Sequence, residues 1–138
     1  MRVALVYVPF KAPDALVAFA KAMARSLEAA GHFVDISEAR ADESPRLTGY
    51  DYIIIGTESA TLLGKIPDRV SRFLSQAGMV TGKRCMAFFR KGGLRPEKGL
   101  SRLMKAMEAE GMIVNCAEVV SNEATAADAA RSAPVERR

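Results

Sequence analysis

Three short stretches concentrate the groups that could hold a ligand. Thr57, Glu58, Ser59, Ala60 and Thr61, with Gly64 just beyond, offer hydroxyls and backbone amides suited to the polar edge of a bound molecule. Arg90 and Lys91, followed by Gly92, Gly93, Arg95 and Lys98, combine positive charge with glycines that let a ligand approach the backbone, as an anion or an acidic partner requires. Pro9, Phe10, Lys11 and Ala12 follow an apolar run and form the third stretch. No catalytic set accompanies them. His32 has no nucleophile or carboxylate in sequence relation to it, and Cys85 and Cys116 lie in apolar runs without CxxC spacing, which argues against a redox pair or a metal site and for buried thiols.

The elements that must position these stretches alternate along the chain. Arg2 to Val8 is a nearly continuous apolar run, the pattern of a parallel strand covered on both faces. Leu16, Phe19, Ala20, Met23 and Leu27 recur at helical spacing and stop at Gly31. Phe33 to Ile36 reads as a short edge strand, and the polar segment Ala39 to Gly49 allows at most a turn or two of helix. Tyr50 to Ile55 is the next strand, closed by Gly56. Pro67 suits the first helical position of a helix whose apolar face is Val70, Phe73, Leu74 and Ala77. Arg84 to Phe89 is a strand, Arg90 to Gly99 a loop, and Leu100, Leu103, Met104 and Met107 a helical stripe ending at Gly111. Met112 to Val120 is the last strand. Ser121 to Arg138 offers only Ala124, Ala127 and Ala130, so a short, weakly anchored helix or tail is expected.

Strands alternating with helices predict an α/β fold, a three-layer sandwich around a five-stranded parallel sheet of order 2-1-3-4-5. A chain of 138 residues with 49% hydrophobic residues suits one domain spanning 1–138. Val3, Leu5, Ile53, Ile55, Met86 and Phe88 should lie in its core. The opening MRVALVYVPF reads as a strand and not as a signal or membrane segment, so a cytoplasmic protein is expected. A net charge of +4 comes from 20 basic and 16 acidic residues spread along the chain, which points away from nucleic acid as a partner.

The opening strand, the stretch YDYIIIGTESATLLGKIPDRVSRFL and the GKRCMAFF strand leading into GLSRLMKAMEAEGM together resemble the flavodoxin family over about nine tenths of the chain. The resemblance implies FMN at the carboxyl ends of the strands, its phosphate in the first loop and its ring between the third and fourth. Carried onto this chain, the cofactor contacts would be Pro9, Phe10, Lys11 and Ala12; Thr57, Glu58, Ser59, Ala60, Thr61 and Gly64; and Arg90, Lys91, Gly92 and Gly93. The first loop departs from the family's T-x-T-G-x-T form. Pro9 and Pro13 each remove an amide donor, no hydroxyl replaces them, and Asp14 adds negative charge where a phosphate would sit. The chain has no Trp, its three Tyr belong to strands, and Phe10 is the sole aromatic in a site loop.

Two functions are therefore carried forward. One is FMN binding with a weakened phosphate site, serving electron transfer or other flavin-dependent oxidoreductase chemistry with a redox partner. The other is a flavodoxin-like domain without FMN that binds a protein or an anion. An acidic residue pattern for a phosphoacceptor receiver is lacking, since Pro9, Phe10 and Gly56 stand at its positions, and no cysteine lies near the first loop as a tyrosine phosphatase would need. A thin C-terminal helix would leave Phe19 and Met23 uncovered, which predicts a homodimer or a stable hetero-partner there.

Overall fold

The computed structural model describes residues 1–40, 45–62 and 64–136. Five parallel strands, β1 (Arg2–Val8), β2 (Phe33–Glu38), β3 (Tyr52–Thr57), β4 (Arg84–Arg90) and β5 (Ile113–Val120), form one sheet of order β2-β1-β3-β4-β5. Helices α1 (Pro13–Ala29), α2 (Asp68–Gln76), α3 (Pro96–Ala109) and α4 (Glu123–Ser132) separate or follow them. The expected α/β sandwich and strand order are both present.

Burial follows position in the sheet. β3 is buried along its whole length and β1 from its second residue, whereas the edge strands β2 and β5 alternate or lie open. Side chains divide with the two-residue period of a strand. Val3, Leu5, Tyr52, Ile54, Met86 and Phe88 face α1 and α4, and Val6, Ile53, Ile55, Cys85 and Ala87 face α2 and α3. All six residues expected in the core are fully buried.

Several boundaries differ from the sequence expectation, each for a local reason. β3 starts at Tyr52 and runs to Thr57, because pairing with β1 continues through Val8↔Thr57. Pro67 lies just before α2 instead of inside it. α3 begins at Pro96, shortening the expected loop; Gly99 lies under the Phe89 ring, where an added Cβ would come within 2.2 Å of Phe89 Cζ. Residues 41–44, which carry part of the expectation for Ala39 to Gly49, lie outside the described residues, and 39–40 and 45–49 carry no helix.

The C-terminal segment is firmer than expected. Asn122 and Thr125 form a reciprocal capping box, with Thr125 N donating to Asn122 Oδ1 at 2.8 Å and Asn122 N to Thr125 Oγ1 at 3.0 Å. Ala126, Ala129 and Ala130 face inward, a different stripe from Ala124, Ala127 and Ala130, and pack with Val135 against the cluster containing Phe19 and Met23. Ser26 Oγ donates to the Ala127 carbonyl at 3.1 Å across the two helices. Small side chains let α4 approach α1 closely, so Phe19 and Met23 are covered within the chain and the packing reason for a second copy on that face is gone.

Candidate functional site

Register brings the three loops together. Val8 pairs with Thr57 and Thr57 with Phe89, so the chain leaves β1, β3 and β4 side by side at Pro9, Glu58 and Arg90. This is the point where strand order reverses, the usual ligand crevice of an open parallel sheet. Thr57, expected as a ligand-facing hydroxyl, is buried instead, and its Oγ1 donates to the Val8 carbonyl at 2.7 Å, fastening the ends of β1 and β3.

The centre of the crevice is Glu58. Its side chain is 1% exposed. Oε2 accepts three backbone N–H bonds, from Phe10 at 2.7 Å and from Lys11 and Ala12 at 2.8 Å each, while Arg90 Nε donates to Oε1 at 3.3 Å. The first loop is therefore not poor in donors. With Pro9 and Pro13 contributing none, the three amides between them converge on one oxygen at the start of α1, where the helix dipole also favours an anion. Burial alone pushes the Glu58 carboxyl up; the amide bonds, Ala12 first and then Phe10 and Lys11, together with the Arg90 charge, outweigh it and hold the group below the ordinary glutamate value. Asp14, which the sequence places near this loop, is exposed.

The remaining predicted residues line the rim. Ser59 Oγ donates to the Thr61 carbonyl, Thr61 Oγ1 accepts from Lys65 N at 3.2 Å, and Ala60 N donates to Lys65 O at 2.7 Å, so these groups brace their own loop. Gly64 takes φ +79° against the backbone of Arg95 and Gly99. A Cβ on Gly92 would lie 3.2 Å from Arg90 Nη1; its absence gives the guanidinium room to turn toward Glu58. Gly93 takes φ +67° in open space, and Lys91 N donates to the Val120 carbonyl at 2.8 Å while its side chain is exposed. Between the loops lies a cleft of about 80 Å³ lined by Lys11, Ser59, Thr61, Leu62, Arg90, Gly92 and Gly93. Leu62, in its wall, is 69% exposed, and in the adjoining loops Phe10 and Leu94 are 52% and 62% exposed, as are the charged Lys11, Asp14, Lys91, Arg95, Glu97 and Lys98.

A larger depression of about 750 Å³ is formed by other elements, with Ala30, His32, Cys116 and Pro134 in its wall. It is broad and open, with Glu118 and Glu136 also in its wall, whereas the backbone amides and charged groups that converge on one point lie at the strand ends, around Glu58.

An open five-stranded parallel sheet with helices on both faces and a crevice at the switch point defines the doubly wound α/β class. Among solved structures the chain superposes on oxidised flavodoxin 1 from Bacillus cereus with a TM-score of 0.73 and 16% identity, covering 95% of this chain and 93% of that one. A short-chain flavodoxin associated with a non-canonical PDU bacterial microcompartment gives 0.72 and 14%, with 94% of each chain covered. A flavodoxin from the domain Archaea gives 0.67 and 18%, covering 95% and 92%. No family model and no curated protein matches the sequence. The fold is the flavodoxin fold.

FMN, which that fold implies, is not fitted by these residues at its phosphate end. The amides that would receive a phosphate already donate to Glu58, and no hydroxyl in the loop supplements them. With Glu58 in place, an anion about 4 Å away would meet a repulsion of at most roughly 4 kcal/mol per charge pair at an effective dielectric constant of about 20, reduced by the Arg90 charge on the other side of the carboxylate.

Proposed function

We propose that this chain is a flavodoxin-fold binding protein that docks an acidic protein partner on the carboxyl-end face of its sheet and does not carry FMN as a resident cofactor. The observation behind this is the Glu58 carboxylate on the Phe10, Lys11 and Ala12 amides, backed by Arg90. The docking half rests on the exposed Phe10, Leu62 and Leu94 in the three strand-end loops, which carry four exposed cations, Lys11, Lys91, Arg95 and Lys98, against the exposed Asp14 and Glu97. An apolar centre with a charged rim is the anatomy of a protein interface, and the rim's sign selects an acidic partner and speeds its encounter.

The test begins with the full chain incubated with excess FMN, desalted and examined by absorption. A colourless protein is expected; one equivalent of retained flavin would overturn the cofactor half. For the docking half, a photocrosslinking residue at Leu94 identifies the partner. Its affinity should fall with Lys91→Glu and with added salt, and an affinity indifferent to both would overturn that half.

A second reading, an FMN-dependent electron-transfer protein with a weak phosphate site, is supported by the likeness to flavodoxins and by the cleft between the β3 and β4 loops. It requires Glu58 to leave the amides, and the same spectrum decides it.

A further inference from the structure

We infer that Glu58 is a specificity-determining residue: its carboxylate takes the place of a ligand phosphate on the Phe10, Lys11 and Ala12 amides, so the crevice selects against phosphorylated ligands, and removing it turns the loop into an oxyanion site. This deepens the proposed function and rests on its cofactor half.

The arrangement is that of an anion site with its anion supplied from within. Three amides from consecutive residues aim at one oxygen within 2.8 Å, a guanidinium neutralises the other oxygen, and the whole carboxylate is out of water. Consecutive amides at a helix start are suited to any oxyanion of this size, carboxylate or phosphate. What decides the occupant is effective concentration. Glu58 is the first residue after β3, whose neighbouring Thr57 is tied to Val8, so its carboxylate is delivered to the amides by the sheet itself and an external phosphate must compete with an intramolecular group. A capping role alone would need only the amides satisfied. The added Arg90 contact, with Gly92 leaving room for it, builds the second side of an anion cradle.

The experiment compares full-length wild type with Glu58→Ala and Glu58→Ser, using inorganic phosphate as the probe against chloride of matched ionic strength. In wild type, the amide resonances of Phe10, Lys11 and Ala12 should not move with millimolar phosphate. In Glu58→Ala they should move saturably and the thermal midpoint should recover beyond the chloride control, with phosphate affinity raised at least about tenfold, the effect of gaining a single charge-assisted hydrogen bond. Glu58→Ser, whose side chain is too short to reach the three amides, gives the same comparison if the alanine variant does not fold. Saturable phosphate shifts at these amides in wild type, or a folded variant that phosphate does not rescue, would overturn the inference. The second of these results would leave Glu58 as a structural cap and the docking half of the proposed function standing, whereas FMN retained by wild type is read separately by its spectrum.

Discussion

Replacing Glu58 with Gln changes the charge of the crevice while nearly preserving its shape, so it isolates the electrostatic contribution of the carboxylate. Three amide bonds are affected. A hydrogen bond to a charged group contributes about 1.5–3 kcal/mol and a neutral one about 1, so the gross loss is roughly 1.5–6 kcal/mol. Two effects pull this down. Phe10 and Lys11 are exposed residues whose amides water can reach once the loop relaxes, and the cost of burying a charge disappears with the charge. Losing the Arg90 pair, whose guanidinium side is 29% exposed, adds no more than about 1 kcal/mol. The expected net loss is about 2 kcal/mol at neutral pH, read as the urea midpoint at constant slope and as a fall of roughly 6–10 °C in Tm. The pH dependence follows from the depressed carboxyl: its stabilisation is fully present above the ordinary glutamate pKa of about 4.3 and is lost as pH falls through the lower folded value. Wild type and variant should therefore converge on acidification below that range. A difference under about 0.5 kcal/mol at neutral pH, or one that persists undiminished in acid, would refute the reasoning.

Other perturbations read other parts of the same frame. Gly56→Ala should destabilise by at least about 3 kcal/mol, the upper end of overpacking, because its Cβ would come within 1.9 Å of Phe88 Cζ inside β3; equilibrium denaturation checks it, and near-neutrality would mean the ring moves freely. Arg95→Gly should stabilise by roughly 0.5–1 kcal/mol, since Arg95 holds φ +54° at the start of α3 and glycine removes that strain at some cost in chain entropy, measurable as a raised Tm. The Cys85 thiol, buried and pushed up to about 12 by that burial with a smaller contribution from Glu108, should resist thiol reagents in the native state and react only on unfolding, whereas Cys116 is partly open; mass spectrometry of pulse-labelled protein distinguishes them.

The strands and most helices were legible because burial on a sheet is written as composition. Val3 to Val8 and Tyr52 to Ile55 have no polar residue inside them, and that is what a strand between two helical layers requires. The start of α3 was missed although Pro96 is a standard first helical residue, because its apolar stripe begins only at Leu100. At α4 the signal was present as Asn122 and Thr125, a capping pair three residues apart, yet the lack of large side chains outweighed it. Judging a helix by side-chain size assumes a fixed distance to its neighbour; alanines shorten that distance instead, and Ser26 can then bond the Ala127 carbonyl directly.

The crevice was legible as a place and not as an arrangement. Loop residues were identified at all three strand ends, but Glu58 meets Phe10, Lys11 and Ala12 across a sequence separation of 46–48 residues, set by the parallel register of β1 and β3, which no local pattern encodes. The negative charge at the first loop's amides is that of Glu58 and not of Asp14. Asp14 is exposed, and Glu58 reaches the amides from the end of β3, across the switch point. Prolines at 9 and 13 silence the ends of the loop, yet the three amides left between them are enough to hold one carboxylate oxygen. A first loop without hydroxyls thus still holds an anion on its amides, and Glu58 supplies that anion from within the chain.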